Sequence, residues 1–172
     1  MNDSGIRLTP IGVVRSSRND LQDDDWDSVT SRIELTEKFP PEALDGIEEF
    51  SHAEILFVFN RVHDADVTYG ARHPRGNTAW PRVGIFAQRA SRRPNLLGAT
   101  IVRIIARNGR TLHVSGLDAA DGTPVVDIKP VMSEMLPRGE VRQPEWSKQL
   151  MARYWDGREG LERREGREGQ ER

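Results

Sequence analysis

The chain of 172 residues contains no cysteine. That absence excludes disulfides, thiolate zinc sites and a cysteine nucleophile, and it suits a reducing compartment. No run approaches the roughly 18 apolar residues that a membrane span needs, and Met1-Asn-Asp-Ser is not a basic region leading into an apolar stretch. A cytoplasmic setting without a membrane partner is therefore expected. Neither G-x-G-x-x-G nor the phosphate-loop motif occurs, so dinucleotide and nucleoside-triphosphate sites of those types have no support. A nucleophile-elbow serine is likewise missing. The four histidines, His52, His63, His73 and His113, lack metal-ligand spacing, and no metal site is expected.

Charge is abundant but unevenly placed. The net charge of -2 conceals 13 acids against 5 bases in residues 1–60, followed by 10 arginines, no lysine and only Asp64 and Asp66 in residues 61–113. Arginine without lysine favours planar, bidentate recognition of phosphate or carboxylate. Solvated faces on a folded chain that mixes the two blocks are the alternative account.

The length suits one domain, because about 150 residues bury roughly two-thirds of the unfolded surface without a metal or disulfide staple. Leu8 to Arg15 reads as an edge strand with Pro10 near its start, and Ser31–Leu35 alternates like a half-buried strand. The acidic run Asp20 to Asp27 between them reads as a loop, with Trp26 as its one anchor. Pro40 to Gly46 has the form of a short helix, and Ala53 to Asn60 that of a buried strand with both faces covered or lining a barrel. Residues 61–81 lose periodicity, and a connection of that length is usually functional. Strand signals follow at Arg82–Ala87, Gly98–Ala106, Arg110–Ser115 and Val125–Ile128, with Asn108-Gly109 as a hairpin turn. A helix is expected over Pro144–Trp155, with Trp146, Leu150 and Tyr154 on one packing face.

The expected fold is mainly β, a small single-sheet β-barrel with one or two short helices and a C-terminal helix, occupying residues 1–155. Residues 156–172 hold 11 charged residues and four glycines, a composition expected to stay disordered.

Two stretches concentrate the residues that present ligands from loops: Gly84-Ile-Phe-Ala-Gln-Arg-Ala-Ser-Arg-Arg-Pro-Asn-Leu-Leu-Gly98 and Gly116-Leu-Asp-Ala-Ala-Asp-Gly-Thr-Pro-Val-Val-Asp-Ile-Lys-Pro130. In the first, three arginines stand beside a strand end. Pro94 stiffens the chain there, and Asn95 can take a left-handed turn, which together make a cradle for an anion or polar ligand. In the second, Asp118 and Asp121 sit at a turn, and Asp127 and Lys129 share one face of an extended segment, where a plain ion pair is the competing account.

Gly84-Ile-Phe-Ala-Gln-Arg with Arg93-Pro-Asn-Leu-Leu-Gly98, then Leu117-Asp-Ala-Ala-Asp-Gly-Thr-Pro-Val-Val-Asp-Ile-Lys-Pro130, resembles the TrmO-like family in order and wording. Ile11-Gly-Val-Val-Arg15 and Leu44-Asp-Gly-Ile-Glu-Glu-Phe-Ser-His52 are similar to other parts of that family, and the likeness covers roughly residues 8–135. It implies a compact β-barrel, usually a homodimer, that binds S-adenosylmethionine and methylates N6-threonylcarbamoyladenosine beside the tRNA anticodon. By that likeness Phe86, Ala87, Gln88, Arg89, Leu117, Asp118, Thr123, Asp127, Ile128 and Lys129 contact the cofactor, while Asn95 and Gly98 shape the loop.

A proton acceptor would assist a poorly nucleophilic nitrogen, and Asp118, Asp127 and His73 are the candidates. For a tRNA substrate, Arg72, Arg75, Arg82, Arg92 and Arg93 are candidates to hold phosphates, and Trp80 or Tyr69 to stack on an exposed base. His73-Pro-Arg-Gly-Asn77 resembles the family's Pro-Arg loop, which puts His73 at the site mouth. Two departures stand out. Arg18-Asn-Asp-Leu-Gln-Asp-Asp-Asp-Trp-Asp27 replaces a basic segment, and Gln88-Arg89-Ala90-Ser91 replaces the commoner Thr-Arg-Ser-Pro. Two other functions stay open: methylation of a small metabolite at the same pocket, and a non-catalytic module that binds S-adenosylmethionine or RNA.

Overall fold

The computed structural model describes residues 5–20 and 24–155. The tail expected at 156–172 and the centre of the acidic run lie outside the described residues. Six antiparallel strands close into a barrel in the order β1-β2-β7-β6-β3-β8. They are β1 (Gly12–Ser16), β2 (Thr30–Leu35), β3 (His52–Val58), β6 (Leu97–Asn108), β7 (Thr111–Ser115) and β8 (Pro124–Pro130). A separate two-residue ladder joins β4 (Ala71–Arg72) to β5 (Val83–Gly84) inside the long β3–β6 connection. The only α-helix among the described residues is α1 (Glu145–Met151).

Period-2 alternation decides which side chains fill the barrel. Val14 on β1, Ile33 on β2, Ile55 and Phe57 on β3, Val102 on β6, Leu112 and Val114 on β7 and Val125 on β8 point inward and are essentially sealed from water. Burying each large aliphatic or aromatic side chain is worth about 1.5–3 kcal/mol. Gly98 shows how tightly this interior is filled. A Cβ placed there would lie 2.4 Å from Phe57 Cε2, so the glycine makes room for a core ring and does more than shape a loop.

Several local expectations change. The first strand begins at Gly12, after Pro10, and is no edge strand: it pairs with β2 on one side and with β8 on the other, because the sheet closes on itself. The β1–β8 seam is only two residue pairs long, and Ile11 N–H donating to Val125 O at 2.8 Å and Gly122 N–H to Val14 O at 2.9 Å reinforce it. Arg82–Ala87 is not one strand. After Val83–Gly84 the chain turns into a 3-10 turn at Ile85–Ala87, in which Ile85 is buried. The hairpin turn sits one residue later than Asn108-Gly109: Asn108 pairs with Thr111, and Gly109 takes the first central position at φ +57°. The helix expected over Pro144–Trp155 is regular only from Glu145 to Met151, and Pro41–Leu44 forms a 3-10 turn.

Strand directions place three of the long connections together. Pairing of Thr30 with Ser115, of Val58 with Leu97 and of Phe57 with Val125 puts residues 17–29, 59–96 and 116–123 at one end of the barrel. The opposite end carries the β6–β7 turn and the 3-10 turns of residues 41–49. There Arg107 bonds Pro41 O at 2.9 Å and pairs with Asp45 at 2.6 Å and Glu48 at 3.5 Å, pinning those turns to the wall.

Candidate functional site

Both loop-rich stretches converge on two consecutive residues of β6. The Arg89 guanidinium donates to the carbonyl of Ala99, and the Thr100 hydroxyl donates to Asp118 Oδ1. Ala99 and Thr100 are adjacent, so a cation from one stretch and a carboxylate from the other are anchored within one peptide unit of the same strand. Burial separates their faces: Thr100 is turned into the barrel, and Ala99 is half-buried on the wall. Tyr154 donates its hydroxyl to Asp118 Oδ2, so each oxygen of this carboxylate accepts from a hydroxyl.

Within the first stretch, Gln88 is buried and its amide donates to Arg72 O at 3.1 Å and Val83 O at 2.9 Å, which locks the loop onto the β4–β5 ladder. Arg93 donates to Gln88 O at 2.9 Å. Asn95 takes the left-handed conformation expected of it, at φ +65°, and Leu96 follows at φ +53°. Such a conformation is costly for a branched side chain, about 1–3 kcal/mol, and persists only where the surroundings impose it. Phe86 and Tyr69 are exposed by 77% and 78%. Ile85 N–H donates to Gly70 O at 2.9 Å, just beyond the β4–β5 ladder, and Tyr69 and Phe86 are the next residues on either side of that bond.

The second stretch divides. Leu117 is fully buried in the core, Thr123 is buried at the barrel mouth, and Asp118 faces Thr100. Asp127 and Lys129 pair with each other on the wall, where Asp127 also accepts from Ile128 N–H at 2.9 Å. The hydrogen bond to Asp127, and then its charge, hold the Lys129 ammonium above its usual range, so it is cationic at neutral pH. Ile128 lines a recess of about 420 Å³ with Leu44, Ile47, Phe50 and Pro130, on the side of the short 3-10 turns.

The 73–80 loop carries its own order. His73 Nδ1 lies 2.7 Å from Trp80 O. A carbonyl only accepts, so Nδ1 carries the proton in the neutral ring and Nε2 is left as an acceptor. Arg75, at φ +49°, forms a bidentate pair with Asp24, and Trp80 Nε1 donates to Gln149 Oε1 at 2.8 Å. Arg82 donates to Ala71 O at 3.1 Å. Among the described residues the guanidiniums of Arg72 and Arg92 make no side-chain hydrogen bond or ion pair.

The acidic segment is partly neutralised by the chain itself. Arg18 pairs with Asp20 at 3.0 Å, donates to Asp25 O at 3.2 Å and stacks on Trp26 at 3.8 Å, and Trp26 is the buried anchor of its loop. Thr100, Gln149 and Asp24 were not among the site residues expected from sequence, and Tyr154 was expected only to pack. A threonine inside an apolar strand and one polar side chain on a short helix carry no local signal of a contact so distant in sequence.

Among the described residues no group of three or more histidine or acidic side chains is placed to hold a metal ion, and no helix is long and apolar enough to cross a membrane.

Residues 19–135 match the family model described as the tRNA-methyltransferase O N-terminal domain. A probable S-adenosyl-L-methionine-binding protein of Methanothermobacter thermautotrophicus is 38% identical over 139 residues, which cover 78% of this chain and 96% of that protein. The tRNA (adenine(37)-N6)-methyltransferase of Mus musculus is 40% identical over 95 residues, or 55% of this chain and 22% of that much longer protein. The crystal structure of TrmO from Pseudomonas aeruginosa superimposes with a TM-score of 0.65 at 29% identity, over 82% of this chain and 62% of that one. The chain thus spans about a fifth of the mouse protein and less than two-thirds of the TrmO structure.

Proposed function

Because the chain belongs to the tRNA-methyltransferase O N-terminal domain family, we propose that it is an S-adenosylmethionine-dependent methyltransferase. Its acceptor is the N6 position of threonylcarbamoyladenosine beside the tRNA anticodon. The observation that carries this reading is the convergence of Arg89 and Asp118 on Ala99 and Thr100, at the barrel end that holds the 17–29, 59–96 and 116–123 connections.

The donor set fits the cofactor. A carboxylate offers about four acceptor positions, so Asp118, with one hydroxyl on each oxygen, keeps capacity for an ammonium group or a ribose diol. The exposed Phe86 ring offers an apolar face for adenine, and Arg89 a cation for a carboxylate. When bound, S-adenosylmethionine supplies an activated methyl group on a sulfonium centre. The chain's own contribution is to hold donor and acceptor in line, an effect that in general removes several kcal/mol from a barrier.

Of the three candidate proton acceptors, Asp118 is engaged at both oxygens and Asp127 is tied to Lys129. His73 is the best placed: with Nδ1–H fixed on Trp80 O, its Nε2 takes the proton from the acceptor nitrogen. Arg72 and Arg92, with Arg75, Arg82 and Arg93, meet phosphates, while Tyr69 or Trp80 stacks on an unpaired base. The protein works in the cytoplasm as a homodimer.

Mass spectrometry of tRNA nucleosides from cells with and without the gene tests the acceptor. Loss of methylated threonylcarbamoyladenosine on deletion, restored by the gene, is the expected result; an unchanged pool overturns it. Methylation of a small metabolite is the second reading, and the acidic segment beside Arg75 favours it. In that case purified protein transfers the methyl group to a metabolite extract and not to tRNA.

A further inference from the structure

The family match ends at residue 135, yet Asp118 is held by a side chain beyond that limit. Tyr154 is not on a loose extension. Trp26 N–H donates to Tyr154 O at 3.1 Å and Asp25 N–H to Arg153 O at 3.2 Å, while Gln149, on the helix just before, accepts from Trp80 at 2.8 Å. The Trp155 ring meets Tyr154 edge to face at 4.9 Å and lies 3.6 Å from where a Cβ on Gly116 would stand. Segment 149–155 is thus laid across the barrel mouth and fastened to the acidic loop, the 73–80 loop and the 116–123 connection.

We infer that Tyr154 is a positioning residue that presets the Asp118 carboxylate for the cofactor, so that segment 149–155 belongs to the binding site. The inference rests on Asp118 being a cofactor contact, as proposed above. A short carboxylate side chain on a connecting loop has several orientations, and a ligand that selects one must meet the entropic cost. Hydroxyl donors on both oxygens, Thr100 from inside the barrel and Tyr154 from the segment across its mouth, fix both rotamer and plane before ligand arrives. Hydrogen bonds from a hydroxyl to an ionised carboxylate are among the strong ones, which suits them to this task. Tyr154 itself need not touch the cofactor.

Calorimetric titration of the full chain with S-adenosylmethionine and with S-adenosylhomocysteine provides the test. Tyr154→Phe removes one hydroxyl and is expected to weaken binding about tenfold. Asp118→Asn weakens it at least as much, and adding Tyr154→Phe to Asp118→Asn costs nothing further. In turnover the KM for S-adenosylmethionine rises with Tyr154→Phe while kcat changes less than twofold, and tRNA affinity by gel shift stays put. Thr100→Val, which frees the other oxygen, reproduces the pattern should Tyr154→Phe prove unstable on melting. Wild-type affinity in Tyr154→Phe, or an equal loss in the Asp118→Asn background, overturns the positioning role alone. Failure of the wild-type chain to bind the cofactor overturns the proposed function together with it.

Discussion

Arg75 grips Asp24 with both arms of its guanidinium, Nη1 to Oδ2 at 3.2 Å and Nη2 to Oδ1 at 2.9 Å. The pair joins the acidic loop to the arginine-rich one across 51 residues of sequence. A carboxylate in that position occupies the fork that a phosphate would take, so under the proposed tRNA function Asp24 would compete with phosphate for Arg75.

Replacing Asp24 by Asn should therefore raise tRNA affinity, about threefold to tenfold at low salt. The logarithmic salt dependence should steepen by about 0.7–0.9, the increment for one more phosphate contact. Filter binding from 50 to 300 mM salt measures both, and parallel lines for the two proteins would remove Arg75 from the phosphate surface.

His73→Gln should lower kcat by about a hundredfold, the usual range for a general base, with KM for S-adenosylmethionine nearly unchanged. Single-turnover transfer to tRNA reports the chemical step directly. A kcat within twofold of wild type would exclude Nε2 as the proton acceptor.

Gly98→Ala should destabilise the barrel by about 1–3 kcal/mol, because the new methyl meets the Phe57 ring at 2.4–2.5 Å. Urea unfolding followed by tryptophan fluorescence gives the value. Phe57→Leu in the same chain should recover part of the loss, and strictly additive effects would show that the two positions do not share this space.

Arg107→Ala should cost about 1 kcal/mol and leave cofactor affinity alone, since its partners Asp45 and Glu48 are largely exposed and at the far end of the barrel. Amide exchange should quicken at residues 41–50 and nowhere near 116–123. Weaker cofactor binding would mean that the two barrel ends are coupled.

What the sequence disclosed, and what it hid, followed one physical division. Period-2 runs such as Ser31–Leu35 and the glycine turn after Asn108 identified strands, because burial and turn geometry act within a few residues. The mainly β barrel was legible on that basis. Which strands neighbour one another was not: β1 pairs with β8 across more than 100 residues, and no local pattern records that closure. The site divides the same way. Asn95 announced its left-handed turn, and the two loop-rich stretches meet at Ala99–Thr100. Tyr154 read as packing because an aromatic on a helix face signals burial, whereas a hydroxyl finding Asp118 depends on the whole tertiary fold.

The tie between Trp26 and Tyr154 also joins segments that lie more than 100 residues apart in sequence. The β1–β8 seam, Gly12 against Val125, is a closure of similar span. Contacts so distant in sequence are slow to form, because the closure entropy of the long loop is spent before they return any stabilisation. Once the seam has brought β1 beside β8, the loop left to close between Trp26 and Tyr154 is much shorter, so the cover over the mouth adds little to the entropic cost already met by the barrel.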